Sequence, residues 1–396
     1  MLWIWIGFVL FILLLLTLDL GVFHRKAHAV TMREALGWSA VWITMGLSFA
    51  VFVYFGYENH WMGLGKSGGP GRVLDQMAVS PTNPQGELDG ATAAIRYLTG
   101  YVIEKSLSVD NIFVIVMIFS FLAVPPIYQH RVLFWGILGA LVMRGAMIGI
   151  GAALVSRFNW ILYIFAAILI FTAIKMLFYD GGEPDPTNSK LVRFARRIWP
   201  VTEKFHGQHF FVRAGSKASH ETATPTAAME IDASVAAMEK KRPGVLMITP
   251  LFLALIVVEF TDLIFAVDSI PAIFAITTDP FLVFTSNVFA ILGLRSLYFA
   301  LAGLVHKFRY LETALAIVLL VVGIKMLAHN WLKQMLGEAF NFYVLGVVLL
   351  ILTTGVVASI IANRRDLRQA ARSLIENPDQ LATPPEPVER HEGRAD

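Results

Sequence analysis

Apolar residues gather into long uninterrupted runs, set apart by polar stretches. The runs cover about 1–23, 36–57, 92–122, 131–155, 158–179, 247–276, 281–304, 310–328 and 340–362 and predict nine helices. Each is close to or above the roughly 20 residues that cross ~30 Å of hydrocarbon as helix. The pattern predicts an all-α polytopic membrane protein with about nine transmembrane helices. The first run resembles a signal peptide, and Ala27-His28-Ala29 imitates its cleavage site. It lacks a basic leader, holds Asp19 inside the run and places Arg25 and Lys26 after it, so it reads as a retained anchor.

Loop charge sets the orientation. Arg25, Lys26 and Arg33 mark the first loop, Arg131 the third, Lys190 to Arg242 the fifth, Lys307 and Arg309 the seventh, and Arg364 to Arg372 the tail. Every other loop is basic. By the positive-inside rule the N-terminus lies outside and the C-terminus in the cytoplasm, across an inner (plasma) membrane. The membrane core occupies 1–362. Residues 180–246 form a cytoplasmic loop with a flexible insertion at 214–243 rich in Ala, Ser, Thr and Glu, and 363–396 form a disordered cytoplasmic tail. The stretch 204–212, with Phe205, Phe210 and Phe211, is placed to lie at the membrane surface.

Composition narrows the function classes. Of 396 residues 56% are apolar and 15% charged, against roughly 45–50% and a quarter in soluble domains. A soluble enzyme and a nucleic-acid module are excluded, because the basic residues behind the net charge of +3 sit in loops. The chain has no Cys, which removes disulfides, thiolate metal sites and cysteine catalysis. The His-Glu-x-x-His and Gly-x-Gly-Asp patterns of intramembrane proteases are absent, so the expectation is not an enzyme, with no bound cofactor.

The chain repeats itself. Val109-Asp110-Asn111-Ile112 returns as Val267-Asp268-Ser269-Ile270, Ile137-Leu138-Gly139 as Ile291-Leu292-Gly293, and Ile174-Lys175-Met176-Leu177 as Ile324-Lys325-Met326-Leu327. The order is kept and each word falls on the corresponding helix. Three helices are an odd number, so a second copy (247–328) enters the membrane opposite to the first (92–179). Such inverted repeats are typical of secondary transporters, whose site lies where the repeats meet near the midplane.

Acidic residues mark the same two helices. Glu104 and Asp110 fall in the third span, and Glu259, Asp262 and Asp268 in the sixth; Glu104 matches Asp262 and Asp110 matches Asp268. Left in lipid, five carboxylates would cost on the order of 12 kcal/mol, so they face the bundle interior. Arg144, Arg295 and Lys105 can pair with some of them, and Arg144 and Arg295 are expected as structural charge partners. Lys175 and Lys325, near helix ends, are expected to snorkel to the interface. Glu104, Ser108 and Asn111 share one helical face, from which Asp110 points away. Pro271 frees the carbonyl of Val267, so either a local break there re-aims Asp268 or two ion positions lie along the path. A ligand set of carboxylate, amide and hydroxyl oxygen suits Mg²⁺, Ca²⁺ and Mn²⁺ rather than Zn²⁺ or copper.

At these residues the chain resembles a known family. Glu259-Phe-Thr-Asp262 through Asp268-Ser-Ile-Pro271, Thr285-Ser-Asn through Gly293-Leu-Arg295, and Glu104-Lys-Ser-Leu-Ser-Val-Asp110-Asn-Ile-Phe are similar to the signature helices of the TerC family, named for tellurium resistance. The likeness covers about 1–362. It implies a manganese exporter of the LysE-like superfamily of inverted three-helix repeats, with Glu104, Asp110, Asn111, Glu259, Asp262 and Asp268 on the ion path. The function expected is a secondary transporter that moves Mn²⁺ out of the cytoplasm in exchange for protons. The alternatives are an antiporter for calcium or another cation, and a tellurium-stress membrane scaffold that transports nothing.

Overall fold

A computed structural model describes residues 2–18, 31–66, 87–158, 160–178, 200–202, 205–213, 246–302, 310–328, 331–332, 335 and 340–376, with Asp110, Phe113, Asp268, 340–342, Asp366, Leu367 and 370–376 described by their backbone alone. The helices are α1 (Leu2–Leu18), α2 (Met32–Glu58), α3 (Gly90–Phe121), α4 (Pro126–Arg157), α5 (Ile161–Phe178), α6 (Pro250–Phe274), α7 (Pro280–Leu292), α8 (Leu294–Leu301), α9 (Leu311–Leu327) and α10 (Phe340–Glu376). Their starts are set locally. Asp89 caps α3 by accepting from the N–H of Thr92, and Asp279 caps α7 by accepting from Phe281 and Leu282. Proline opens α4, α6 and α7, where its missing N–H would have had no helical partner.

The chain is a multi-pass all-α membrane protein. The described part of each of the nine apolar stretches is helical, the seventh in two pieces. Among the described residues, five helices are able by length and composition to cross a membrane, namely α2, α4, α5, α6 and the Tyr343–Arg365 part of α10; the bent pair α7–α8 makes a sixth. The remaining three fall short for plain reasons. α1 and α9 have 17 residues each, about 25 Å of helix, and α3 carries Arg96, Glu104, Lys105 and Asp110.

Four features differ from the sequence expectation. α4 starts at Pro126 rather than 131, which brings His130 into its first turns. α6 runs unbroken through Pro271 to Phe274, and the bend falls instead at Gly293, where α7 and α8 meet at 41°. α10 continues past 362 to Glu376, because Asn363 to Glu376 contains no Gly or Pro to stop it. The fifth loop is partly built: β1 (Phe211–Arg213) pairs antiparallel with β2 (Leu246–Ile248), and Val201 bridges Ile248 in parallel. That small sheet seats Phe205 against Tyr128, and Phe211 stacks on Phe252 of α6 at 4.5 Å between ring centroids. Phe210 lies under the Arg131 guanidinium at 5.0 Å. Asp19, the insertion 214–243 and the tail beyond 376 lie outside the described residues.

Packing between helices is crossed. α3 lies mainly on α7 and α4 on α6, while α5 lies on α9. α3 packs almost as extensively on α2, but α3 and α4 are not extensive partners of one another; each packs on a helix of the other three-helix segment. Exchanging α3, α4 and α5 for α6, α7 and α9 turns the α3–α7 contact into the α4–α6 contact. The same exchange returns the α3–α6, α4–α7 and α5–α9 contacts to themselves.

Candidate ion site

A single arginine organises the crossing of α3, α4 and α6. Arg144 of α4 is buried to 2% exposure. Its Nε donates to Asp262 Oδ2 at 3.1 Å and its Nη2 to Asp262 Oδ1 at 2.8 Å, the two-pronged geometry that fits guanidinium to carboxylate. Nη1 donates to Glu104 Oε1 and, at 3.3 Å, to Ser269 Oγ. Glu104 and Asp262, six residues upstream of Asp110 and Asp268 respectively, therefore share one cation. Glu104 is fully buried, whereas the Asp262 side chain keeps 15% exposure, so the cluster has one open side.

Two carboxylate oxygens near this cluster are buried without a hydrogen-bond partner: Oε2 of Glu104 and Oε2 of Glu259. Glu259 projects from α6 onto the backbone of α4 at Gly139, where any Cβ would overlap its carboxylate. The Ile-Leu-Gly word of the repeat therefore has a physical use here. At its second copy, Gly293 leaves room for the Lys105 ammonium and Trp42; a Cβ there would stand 2.9 Å from Lys105 Nζ. Lys105 Nζ donates to the carbonyl of Ala290 at 3.1 Å, a carbonyl left open by the α7–α8 bend.

The other expected residues are placed as follows. Ser108 and Asn111 are buried on α3 together with Glu104, as the shared face requires. Arg295 is buried on α8 and faces His130 Nε2 at 3.2 Å. Lys325 does not snorkel. It is buried to 4% exposure, and its ammonium donates to the carbonyl of Ala275 at the end of α6, whereas Lys175 is exposed. The end of α6 leaves carbonyls open within reach of a lysine on α9, and the repeat word gave no sign of that difference. The side chains of Asp110 and Asp268 lie outside the described set, and among the described residues no three of His, Asp and Glu converge to hold a metal ion. Sequence reasoning missed Gly139, Ser269 and the anchoring of Lys105. Only the recurrence of glycine at 139 and 293 could have signalled the first.

This architecture has relatives. Residues 89–367 match the model of the integral membrane protein TerC family, and the chain belongs to that family. It is 43% identical to the uncharacterized membrane protein STKORF319 of Myxococcus xanthus over 91% of this chain and 93% of that one. It is 42% identical to an Escherichia coli K12 protein provisionally named as the membrane-bound redox modulator Alx, over 86% and 92% of the two chains. The Salmonella typhi protein of the same name is 40% identical, over 93% and 98%. No solved structure matches.

Proposed function

We propose that the protein is a secondary transporter that exports a divalent cation from the cytoplasm in exchange for protons, with manganese as the substrate. The observation that carries this reading is the shared arginine. Glu104 and Asp262 bring two carboxylates to one guanidinium, and Glu259 adds a third carboxylate whose Oε2 has no donor. Buried carboxylate oxygens without donors are costly in a low-dielectric interior, so in the working protein they take up a proton or a cation. Protons and metal compete for the same oxygens, which couples the two fluxes. The hard-oxygen ligands favour Mn²⁺, Mg²⁺ or Ca²⁺, and the resemblance of the signature helices to the TerC family supports Mn²⁺ among them.

Nine membrane spans and an inverted repeat of 92–179 and 247–328 belong to the same proposal. The crossed packing supports it, since the α3–α7 and α4–α6 contacts exchange and the α3–α6, α4–α7 and α5–α9 contacts return to themselves when the two units are exchanged. Asp110, Asn111 and Asp268, the acids and amide of the repeated words, are assigned to the same ion path. The N-terminus is outside and the C-terminus cytoplasmic. The redox role in the name of the Alx relatives fits a chain without Cys only through the ions it moves. Cells that make the protein should hold less manganese under manganese load than cells without it. Equal manganese contents, with the protein verified in the membrane, would overturn the reading.

A further inference from the structure

The side chain of Asn287 on α7 is 1% exposed, and neither its amide oxygen nor its amide nitrogen has a hydrogen-bond partner. A buried amide with both ends unsatisfied is rare in folded proteins, because the desolvation of donor and acceptor is returned by nothing. Its neighbours along α7 fix its level in the bundle. Ser286 lies against Gly100 of α3, and the Ala290 carbonyl accepts from Lys105, so Asn287 falls within the stretch of α3 that carries Glu104. Val283, one turn earlier on the same face, joins the apolar cluster of Ile148 on α4 and Ile270, Ile273 and Phe274 on α6. One turn further along α7, that face reaches the level of Arg144 on α4 and Ser269 on α6, since both helices run opposite to α7.

We propose that Asn287 is a further ligand of the transport path: its amide oxygen binds the divalent cation, directly or through one of its waters, as the ion passes the Glu104–Arg144–Asp262 cluster. The amide is suited to this place. It offers a hard oxygen without adding a further negative charge, and its NH₂ can donate to a carboxylate oxygen that the arginine leaves open, such as Glu104 Oε2. α7 thereby contributes a residue to a site otherwise drawn from α3, α4 and α6. The bend at Gly293, a turn and a half beyond, marks the place where α7 departs from regular helix, as the discontinuous helices of transporters do at their sites. The inference rests on the transporter reading and adds a residue that the charge pattern does not reveal.

The test compares wild type, Asn287→Leu and Asn287→Asp, purified and reconstituted in vesicles, by thermal unfolding and by Mn²⁺ flux. Leucine keeps the forked skeleton of the side chain, though its two methyl groups are bulkier, and removes the two unsatisfied polar ends, so the variant should melt at or near the wild-type temperature. It should also need on the order of tenfold more Mn²⁺ for half-maximal flux, about 1.4 kcal/mol of lost binding. Asn287→Asp restores a hard oxygen at the same place, so its half-maximal Mn²⁺ should lie nearer wild type than that of Asn287→Leu; equal values for the two variants would contradict ligation by that oxygen. If Asn287→Leu fails to fold or melts far lower, the amide is a structural group and the proposal falls. It falls equally if wild type and Asn287→Leu move Mn²⁺ alike. A wild type that moves no divalent cation would remove the transporter reading itself, and this inference with it.

Discussion

Arg144 and Asp262 meet as a two-pronged pair between α4 and α6, Nε to Oδ2 at 3.1 Å and Nη2 to Oδ1 at 2.8 Å, while Glu104 of α3 holds the same guanidinium. Glu104 and Asp262 stand at matching positions of the repeated words, but the arginine has no counterpart. Five residues after Gly139 stands Arg144; five after Gly293 stands Tyr298, whose hydroxyl donates to Gln129. The carboxylates repeat and the cation does not. A fixed positive charge serving two acids is a natural place for exchange, because a cation or proton that binds one acid weakens its hold on the arginine.

Breaking the cluster from the arginine side should strongly destabilise the protein. Arg144→Met strands Glu104 and Asp262 without their shared cation, and removal of one partner of a buried pair costs about 3–5 kcal/mol. Thermal unfolding of the purified variant should show a large loss. The combined change of Arg144→Met with Glu104→Gln and Asp262→Asn should recover most of it while leaving transport absent. A mild effect of Arg144→Met alone would mean that the carboxylates are neutral in the folded protein.

Gly139 is expected to act through Glu259. A methyl group at Gly139 overlaps the far end of a flexible side chain, which can swing aside, so Gly139→Ala should lower the melting temperature little. It should displace the Glu259 carboxylate from its seat and reduce ion flux several-fold, as Glu259→Gln should. Flux equal to wild type in Gly139→Ala would show that the position of Glu259 is immaterial.

The order of helices and most of the polar centre are legible in the sequence because hydrophobicity and charge are one-dimensional signals. Nine apolar runs and five acids stand out in any reading of the chain. The partnerships are a different matter. Lys175 and Lys325 occupy identical four-residue words, yet one is exposed and the other is buried against the carbonyl of Ala275. The distinction arises from where α6 ends relative to α9, a tertiary fact. Likewise Pro271 is the loudest local break signal, but α6 passes through it and the bend falls at Gly293. Lys105 Nζ takes up the Ala290 carbonyl opened there, and that contact spans 185 positions. His130 escaped notice because the helix begins before its apolar run does.

The two lysines give a matched prediction. Lys325→Met removes a donor from the end of α6 and leaves the Ala275 carbonyl buried without it, at a cost of about 1–3 kcal/mol. Lys175→Met changes an exposed position and should shift stability by less than about 0.5 kcal/mol. Melting of the two variants side by side checks this, and equal effects would contradict the assignment of Lys325 to α6.

Loop charge predicts the sides of the membrane. A reporter fused after Glu376 should behave as cytoplasmic, and one inserted in the polar segment 67–86 as exported. A reporter after Glu376 that behaves as exported would change the count of nine spans by one.

The central claim is that the paired acids carry the ion, and Mn²⁺ flux in vesicles containing the purified protein tests it most directly. With a proton gradient imposed, wild type should drive Mn²⁺ against its own concentration, and the flux should collapse when the gradient is dissipated. Asp268→Asn keeps the size of the side chain and removes its charge. It should insert and melt like wild type yet move no Mn²⁺, and Asp110→Asn should behave the same way. Full Mn²⁺ flux in both variants, or none in wild type, would contradict the account.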